Sequence, residues 1–258
     1  MSALLRRAKI AVRRTTVYFY FTARPRWLNP LAYLRRRYEA SAERLLRERY
    51  PEVYRVIGEM RARSGSTGCQ YGDYLTLYED LLEKKPRCVL ECGSGISTAV
   101  VALALEQIAR ETGDEAVCVS LEEAEGWYRD LEKVFPEELR GSVRFIHSPK
   151  VVSTFGGRPG CHYAEIPDLP YDYIFVDGPT ESSGPGMPKG FDADIVNLLT
   201  GGGQVETVSG LLDQRVGTYW MYRKIFGSRK VRYSPVRQLS FLQGLSPKDA
   251  DPRYVRGS

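Results

Sequence analysis

Three acidic residues stand in the sequence where they can do chemistry. Glu91 opens Glu91-Cys92-Gly93-Ser94-Gly95-Ile96-Ser97, two residues ahead of a tight glycine turn. Glu122 closes Val119-Ser120-Leu121-Glu122, and Asp177 closes Tyr171-Asp172-Tyr173-Ile174-Phe175-Val176-Asp177. Gly93 and Gly95 allow the backbone to approach a ligand where a Cβ would obstruct it. An acid placed like Glu122 can accept hydrogen bonds from both hydroxyls of an adenosine ribose. Asp177 is a candidate general base, and Asp213, in Leu211-Leu212-Asp213-Gln214-Arg215, is a second. Two such carboxylates at neighbouring strand ends can also hold Mg²⁺ against a substrate oxygen. The plainer alternative has Asp177 capping a turn with Gly178-Pro179 and Asp213 paired with Arg215.

The two histidines, His147 and His162, titrate near neutrality when unperturbed and are weighed as bases. His147 ends a strand and can face a cofactor, whereas His162 sits in the Gly/Pro-flanked stretch 156–163, expected as a loop of the kind that covers substrates. The stretch from Gly184 to Gly190 reads as a second such loop, one that can gate the pocket. A hydrogen-bonded structural role is the competing reading for each histidine. With only two of them, a His-rich zinc site is disfavoured.

These residues need a scaffold that brings strand ends together, and the pattern supplies one. Cys88–Cys92, 116–121, 143–147, 171–176 and 205–212 read as strands, with helices near 98–110, 124–135, 192–199 and 218–226 between or after them. Val231–Tyr233 and Leu239–Leu242 are close enough to close the sheet as a hairpin. Alternation of this kind predicts a doubly wound, mostly parallel seven-stranded α/β sheet with helices on both faces. Ligands bind such sheets beyond the carboxyl ends of the strands. The Gly/Ser/Thr-rich stretch 63–72 marks the expected boundary between a basic helical extension (1–63) and the α/β domain (64–258).

A nicotinamide dinucleotide site would want glycine or alanine where Thr98 stands, and a carboxylate at Glu91 would repel pyrophosphate. A P-loop is excluded, because Gly-Lys-Ser/Thr is absent. Glu-x-Gly-x-Gly-x-Ser after an apolar strand resembles motif I of the class I S-adenosylmethionine-dependent methyltransferases. The segments ending at Glu122 and Asp177 resemble that family's second- and fourth-strand motifs, in family order, over roughly residues 70–245. The resemblance implies S-adenosylmethionine as cofactor, with Glu91 near the methionine amino group and Gly93, Ser94, Gly95 and Ser97 shaping the cleft. It implies Glu122 at the ribose, Ser148 near the adenine, and Gln70 as a contact from the helix ahead of motif I. Glu123 is the weaker ribose partner, since adjacent strand residues point apart. The chain looks most similar to small-molecule and sugar O-methyltransferases. This implies transfer to an oxygen of a small-molecule or glycan-type acceptor, with Asp177, Asp213 and His147 as catalytic candidates and Asp177 and Asp213 as metal ligands. Gln214 and Arg215 depart from the metal-dependent members. The alternatives are a cofactor-binding protein without catalysis, an aminopropyl transferase, or a membrane-associated adaptor on the same fold.

Composition supports a packed core, at 43% hydrophobic and 27% charged residues. No run approaches the roughly 20 apolar residues of a transmembrane helix, and the start does not read as a secretory signal. Five cysteines without framework spacing, three of them in apolar runs, predict a reduced, cytoplasmic setting. The net charge of +5 is uneven, because residues 1–50 hold 13 Lys/Arg against 3 Asp/Glu. That segment also carries the run Val17-Tyr18-Phe19-Tyr20-Phe21. It suits an anionic membrane surface, which would make the protein peripheral at an inner membrane face. Packing on the domain or on a second copy of the chain is the alternative, and nucleic acid is disfavoured because no RNA-binding aromatic motif accompanies the charge.

Overall fold

The computed structural model describes residues 30–63, 69–181 and 190–254. The aromatic run and most of the basic segment (1–29), and nearly all of the expected gating loop (182–189), lie outside the described residues. The main sheet has seven strands: β1 (Cys88–Cys92), β2 (Val117–Glu122), β3 (Val143–His147), β6 (Tyr173–Val176), β8 (Val208–Asp213), β9 (Val231–Ser234) and β10 (Leu239–Leu245). Their order is β3-β2-β1-β6-β8-β10-β9. All pairs from β3 to β8 are parallel, and β10 alone runs against its neighbours β8 and β9. The doubly wound α/β sheet closed by a hairpin is therefore as expected. The order reverses between β1 and β6, and the crevice above that point is where ligands of such sheets bind.

Central parallel strands are covered on both faces and read as unbroken apolar runs. Successive residues then serve opposite layers. Val89, Tyr173, Phe175 and Leu211 pack into one core, while Leu90, Cys92, Ile174, Val176 and Leu212 pack into the other. The first core is shared with α1 (Pro30–Arg49), α2 (Pro51–Arg63), α3 (Tyr71–Lys84) and α4 (Ile96–Thr112). Ala42, Leu46, Val53, Val56, Ile57 and Met60 of the first two helices are buried in it. Each of the larger ones contributes about 1.5–3 kcal/mol relative to exposure. The Tyr38 hydroxyl lies 2.6 Å from that of Thr76, and Glu39 accepts the Gly72 N–H at 3.0 Å, so α1 is tied directly to α3. Among the described residues no helix is long and apolar enough to cross a membrane.

The second core is bounded by α6 (Asp194–Thr200), α7 (Val216–Ile225) and a small second sheet, while α5 (Glu125–Val134) follows β2. The small sheet joins β4 (Lys150–Phe155), β5 (Arg158–Tyr163) and β7 (Phe191–Asp192). It corrects the expectation of a loop over 156–163. Val151, Val152, Thr154 and Phe155 favour extended backbone. Gly156 and Gly157, at φ 54° and 70°, then form the two-residue turn of a hairpin that pairs Phe155 with Arg158. The strand expected at 205–212 is shifted to Val208–Asp213, so Asp213 is the last strand residue and does not belong to the following loop. The helix expected from Asp192 begins at Asp194, and Asp192 belongs to β7.

Candidate functional site

The turn after β1 is pressed against the turn after β6. Gly93 has φ +100°, and a Cβ there would lie 2.6 Å from the Gly178 nitrogen and 2.9 Å from the Asp177 carbonyl carbon. Both contacts are backbone, so neither can swing aside. The Asp177 and Gly178 amides both donate to the Cys92 carbonyl, at 2.7 and 2.5 Å. The Gly93 and Ser94 amides donate to Leu121 O, which locks the turn to β2.

Glu91 is fully buried beneath this turn. Its Oε2 accepts from the hydroxyls of Thr98 and Ser120, each at 2.6 Å. Thr98 Oγ1 in turn accepts the Gly95 N–H at 3.0 Å, and the Ser94 and Ser120 hydroxyls are 2.7 Å apart. Oε1 accepts no hydrogen bond among the described residues. Burial pushes the Glu91 carboxyl up to about 7, with the hydroxyls of Ser120, Thr98 and the buried Ser97 acting against it. A buried oxygen without a partner is costly and marks a place where a donor belongs.

A cleft of about 360 Å³ opens above the turn, lined by Gly93, Ser94, Glu122, Trp127, Tyr163 and Asp177 among others. Glu122 is largely buried at the end of β2, and its Oε1 accepts the Ala124 N–H at 2.8 Å. Burial raises its pKa, against hydrogen bonds from the backbone. Glu123 also lines the cleft, held by Lys150 at 3.3 Å and the Thr180 N–H at 2.7 Å. Trp127 and Tyr163 were not singled out in the sequence. Trp127 is 52% exposed, and its neighbourhood reads only as a helix after β2. The Tyr163 hydroxyl is buried without a partner among the described residues, and its side chain is placed by a hairpin the pattern does not reveal.

At the ends of β6 and β8 the structure brings Asp177 and Asp213 together. Their carboxylate oxygens come within 4.8 Å of each other, and the Cys69 thiol points at Asp177 Oδ2 from 3.8 Å. One donor atom from each of the three residues falls within 4.8 Å of the others. Burial first, then the charges of Asp177 and Asp73, push Asp213 up to about 8. Burial also raises Asp177, against the pull of Arg215, and lifts Asp73 to about 7. Arg215 does not pair with Asp213 as the plainer expectation had it. Its guanidinium donates to the carbonyls of Pro179 and Asp177 and so clamps the loop that carries Asp177.

The remaining sequence candidates make local contacts. Ser148 is buried, donates its N–H to Glu122 O at 2.9 Å and accepts the Glu165 N–H at 2.8 Å. Gln70 is exposed at the start of α3, where its N–H donates to Asp73. His147 pairs in register with Glu122 on the neighbouring strand. Its Nε2 is 3.3 Å from Glu123 O, its ring rests near Tyr128, and it is not among the residues lining the cleft. His162 is buried between Ser153 and the Tyr163 carbonyl.

Neither the protein-family models nor the curated proteins give a match to this chain. Solved structures do. A methyltransferase from Geobacter sulfurreducens is 12% identical, with 90% of this chain and 97% of that one covered at a TM-score of 0.42. The O-methyltransferase TomG of tomaymycin synthesis from Streptomyces achromogenes, in complex with SAM, is 12% identical over 74% and 89%, also at 0.42. An O-methyltransferase from Bacillus cereus, in complex with SAH, is 14% identical over 79% and 97%, again at 0.42. Likeness of this degree says nothing about chemistry, which has to come from the site.

Proposed function

We propose that the chain is an S-adenosylmethionine-dependent methyltransferase acting on an oxygen of a small-molecule or glycan-type acceptor. The carrying observation is the pair of buried carboxylates at adjacent parallel strand ends, Glu91 and Glu122, with the glycine turn between them and the cleft above. That arrangement fits a ligand with an ammonium at one end and a vicinal diol at the other, and it repels a diphosphate. The unpartnered Glu91 Oε1 supports the fit at the ammonium end. Glu122 would take the ribose, with Ser94 and Gly93 beside it, and the exposed indole of Trp127 offers a stacking surface for the adenine.

When bound, S-adenosylmethionine supplies a sulfonium-activated methyl group, so the protein has to align the acceptor and remove its proton. Asp177 and Asp213 suit the second task. Together they hold a proton between two buried carboxyls, and Asp177, beside Arg215, is the member that carries the charge and takes the acceptor proton. The closeness of Cys69, Asp177 and Asp213 favours a second reading, in which they hold a divalent cation. Two carboxylate oxygens suit Mg²⁺, whereas the thiol does not and would suit a softer ion such as zinc.

Methyl-labelled S-adenosylmethionine offered with hydroxylated aromatic and sugar acceptors tests the proposal. Label is expected to move to an acceptor hydroxyl, and Asp177→Asn is expected to stop it while cofactor still binds. Loss of transfer on chelation selects the cation reading. Cofactor binding without transfer to any acceptor class selects a non-catalytic binder.

A further inference from the structure

The longest described helix carries charge for which the proposed site has no use. α1 buries one side through Ala42 and Leu46 and turns the other outward. Tyr33, Arg36, Arg37, Ala40, Arg44 and Arg47 are all exposed, and their spacing of three or four residues sets them in one stripe. Over 20 residues the helix is about 30 Å long. Tyr33 and Leu34, 54% and 48% exposed, stand at its N-terminal end. The helix stays net positive, with six arginines against three glutamates. Glu39 is taken by the Gly72 amide and Glu43 by the Tyr54 hydroxyl, which leaves Glu48 as the exposed one.

The sequence ahead of the helix has the same character. Residues 1–38 contain ten Lys/Arg and no Asp/Glu, interleaved with Leu4, Leu5, Ile10, Val12, Phe19 and Phe21. Arginines beside exposed Tyr and Leu match a lipid headgroup layer, where the cations meet phosphate and the apolar side chains reach acyl chain. A nucleic-acid backbone would satisfy the arginines and give the aliphatic side chains nothing to bury against.

We propose that the outward face of α1 docks this protein on an anionic membrane surface. Sedimentation of the full chain with phosphatidylcholine–phosphatidylserine vesicles, and with phosphatidylcholine alone, tests it. Binding is expected only to the anionic vesicles and is expected to weaken steeply as salt rises. Changing Arg36, Arg37, Arg44 and Arg47 together to Gln is expected to lower binding at least tenfold, since each cation near such a surface contributes about fivefold. Tyr33→Ser with Leu34→Ser is expected to lower it several-fold. Unchanged melting temperatures in both variants show that the fold is kept. Equal binding to neutral vesicles, no binding at all, or no loss in the arginine variant would each overturn the proposal. So would capture of a DNA duplex, lost in the arginine variant, by a protein that leaves anionic vesicles in solution. The salt dependence decides the matter if a variant fails to fold.

Discussion

At the ends of β1 and β2 a carboxylate is surrounded by donors, whereas at the ends of β6 and β8 two carboxylates face each other. Glu91 and Glu122 hold hydroxyl or amide hydrogen bonds that set their orientation before any ligand arrives. Asp177 and Asp213 have a thiol and each other, and the nearest cation, Arg215, spends its hydrogen bonds on backbone carbonyls. A like-charge pair with one member buried and the other half-buried is unfavourable, and at a cleft such a pair suits proton handling better than stability. On the proposed function, one half of the strand-end row holds a ligand and the other half reacts.

The change with the largest expected effect breaks both halves. Gly93→Ala forces a Cβ into the backbone of Asp177 and Gly178 at a positive φ, at a cost of about 3 kcal/mol or more. At roughly 2–4 °C per kcal/mol, thermal melting should fall by about 10 °C, and cofactor binding should be lost with it. Asp177→Asn and Asp213→Asn separate the halves. Each is expected to lower kcat by about 10²–10⁴ and to leave cofactor affinity within about threefold, read from initial rates and calorimetry.

Glu91 sharpens the contrast through pH. With its carboxyl at about 7 in the fold, the native state holds a proton that the unfolded chain has released. Its contribution to stability is therefore present below the ordinary glutamate range and is lost as pH rises to about 7. Cofactor affinity should move the other way, strengthening about tenfold from pH 6 to 8 as the carboxylate forms. Glu91→Gln should flatten both trends in melting and binding titrations. The smallest effect belongs to His147→Ala, which should change kcat by less than about threefold, since the ring lies against Tyr128 and the Glu123 carbonyl.

Much of this was legible in the sequence wherever local pattern and tertiary position coincide. Parallel central strands are short and apolar, so Cys88–Cys92 and Tyr173–Val176 declare themselves, and the acids that close them fall at the sheet's carboxyl edge. Asp213 is legible as a residue, whereas the start of β8 is not, because Val205 extends the apolar pattern ahead of Val208. The hairpin of β4 and β5 was hidden by its glycines and proline, which read as a loop although Gly156-Gly157 is itself a turn signal. That omission also hid Tyr163. Trp127 was missed for another reason, since nothing local separates an exposed aromatic over a cleft from one in solvent. Burial of Asp73 beside the reactive pair was likewise out of reach, because it depends on how α3 packs over the sheet.

On the proposed function, the cleft lined by Gly93, Ser94, Glu122 and Trp127, with Glu91 buried beneath its glycine turn, holds S-adenosylmethionine. Isothermal titration of the folded chain with S-adenosylmethionine tests it most directly, alongside Glu122→Ala. One site per chain is expected, weakened by about a hundredfold or more in the variant, since two hydrogen bonds to a charged acceptor at about 1.5–3 kcal/mol each are lost. No binding heat from a folded sample, or equal affinity in the variant, would contradict it.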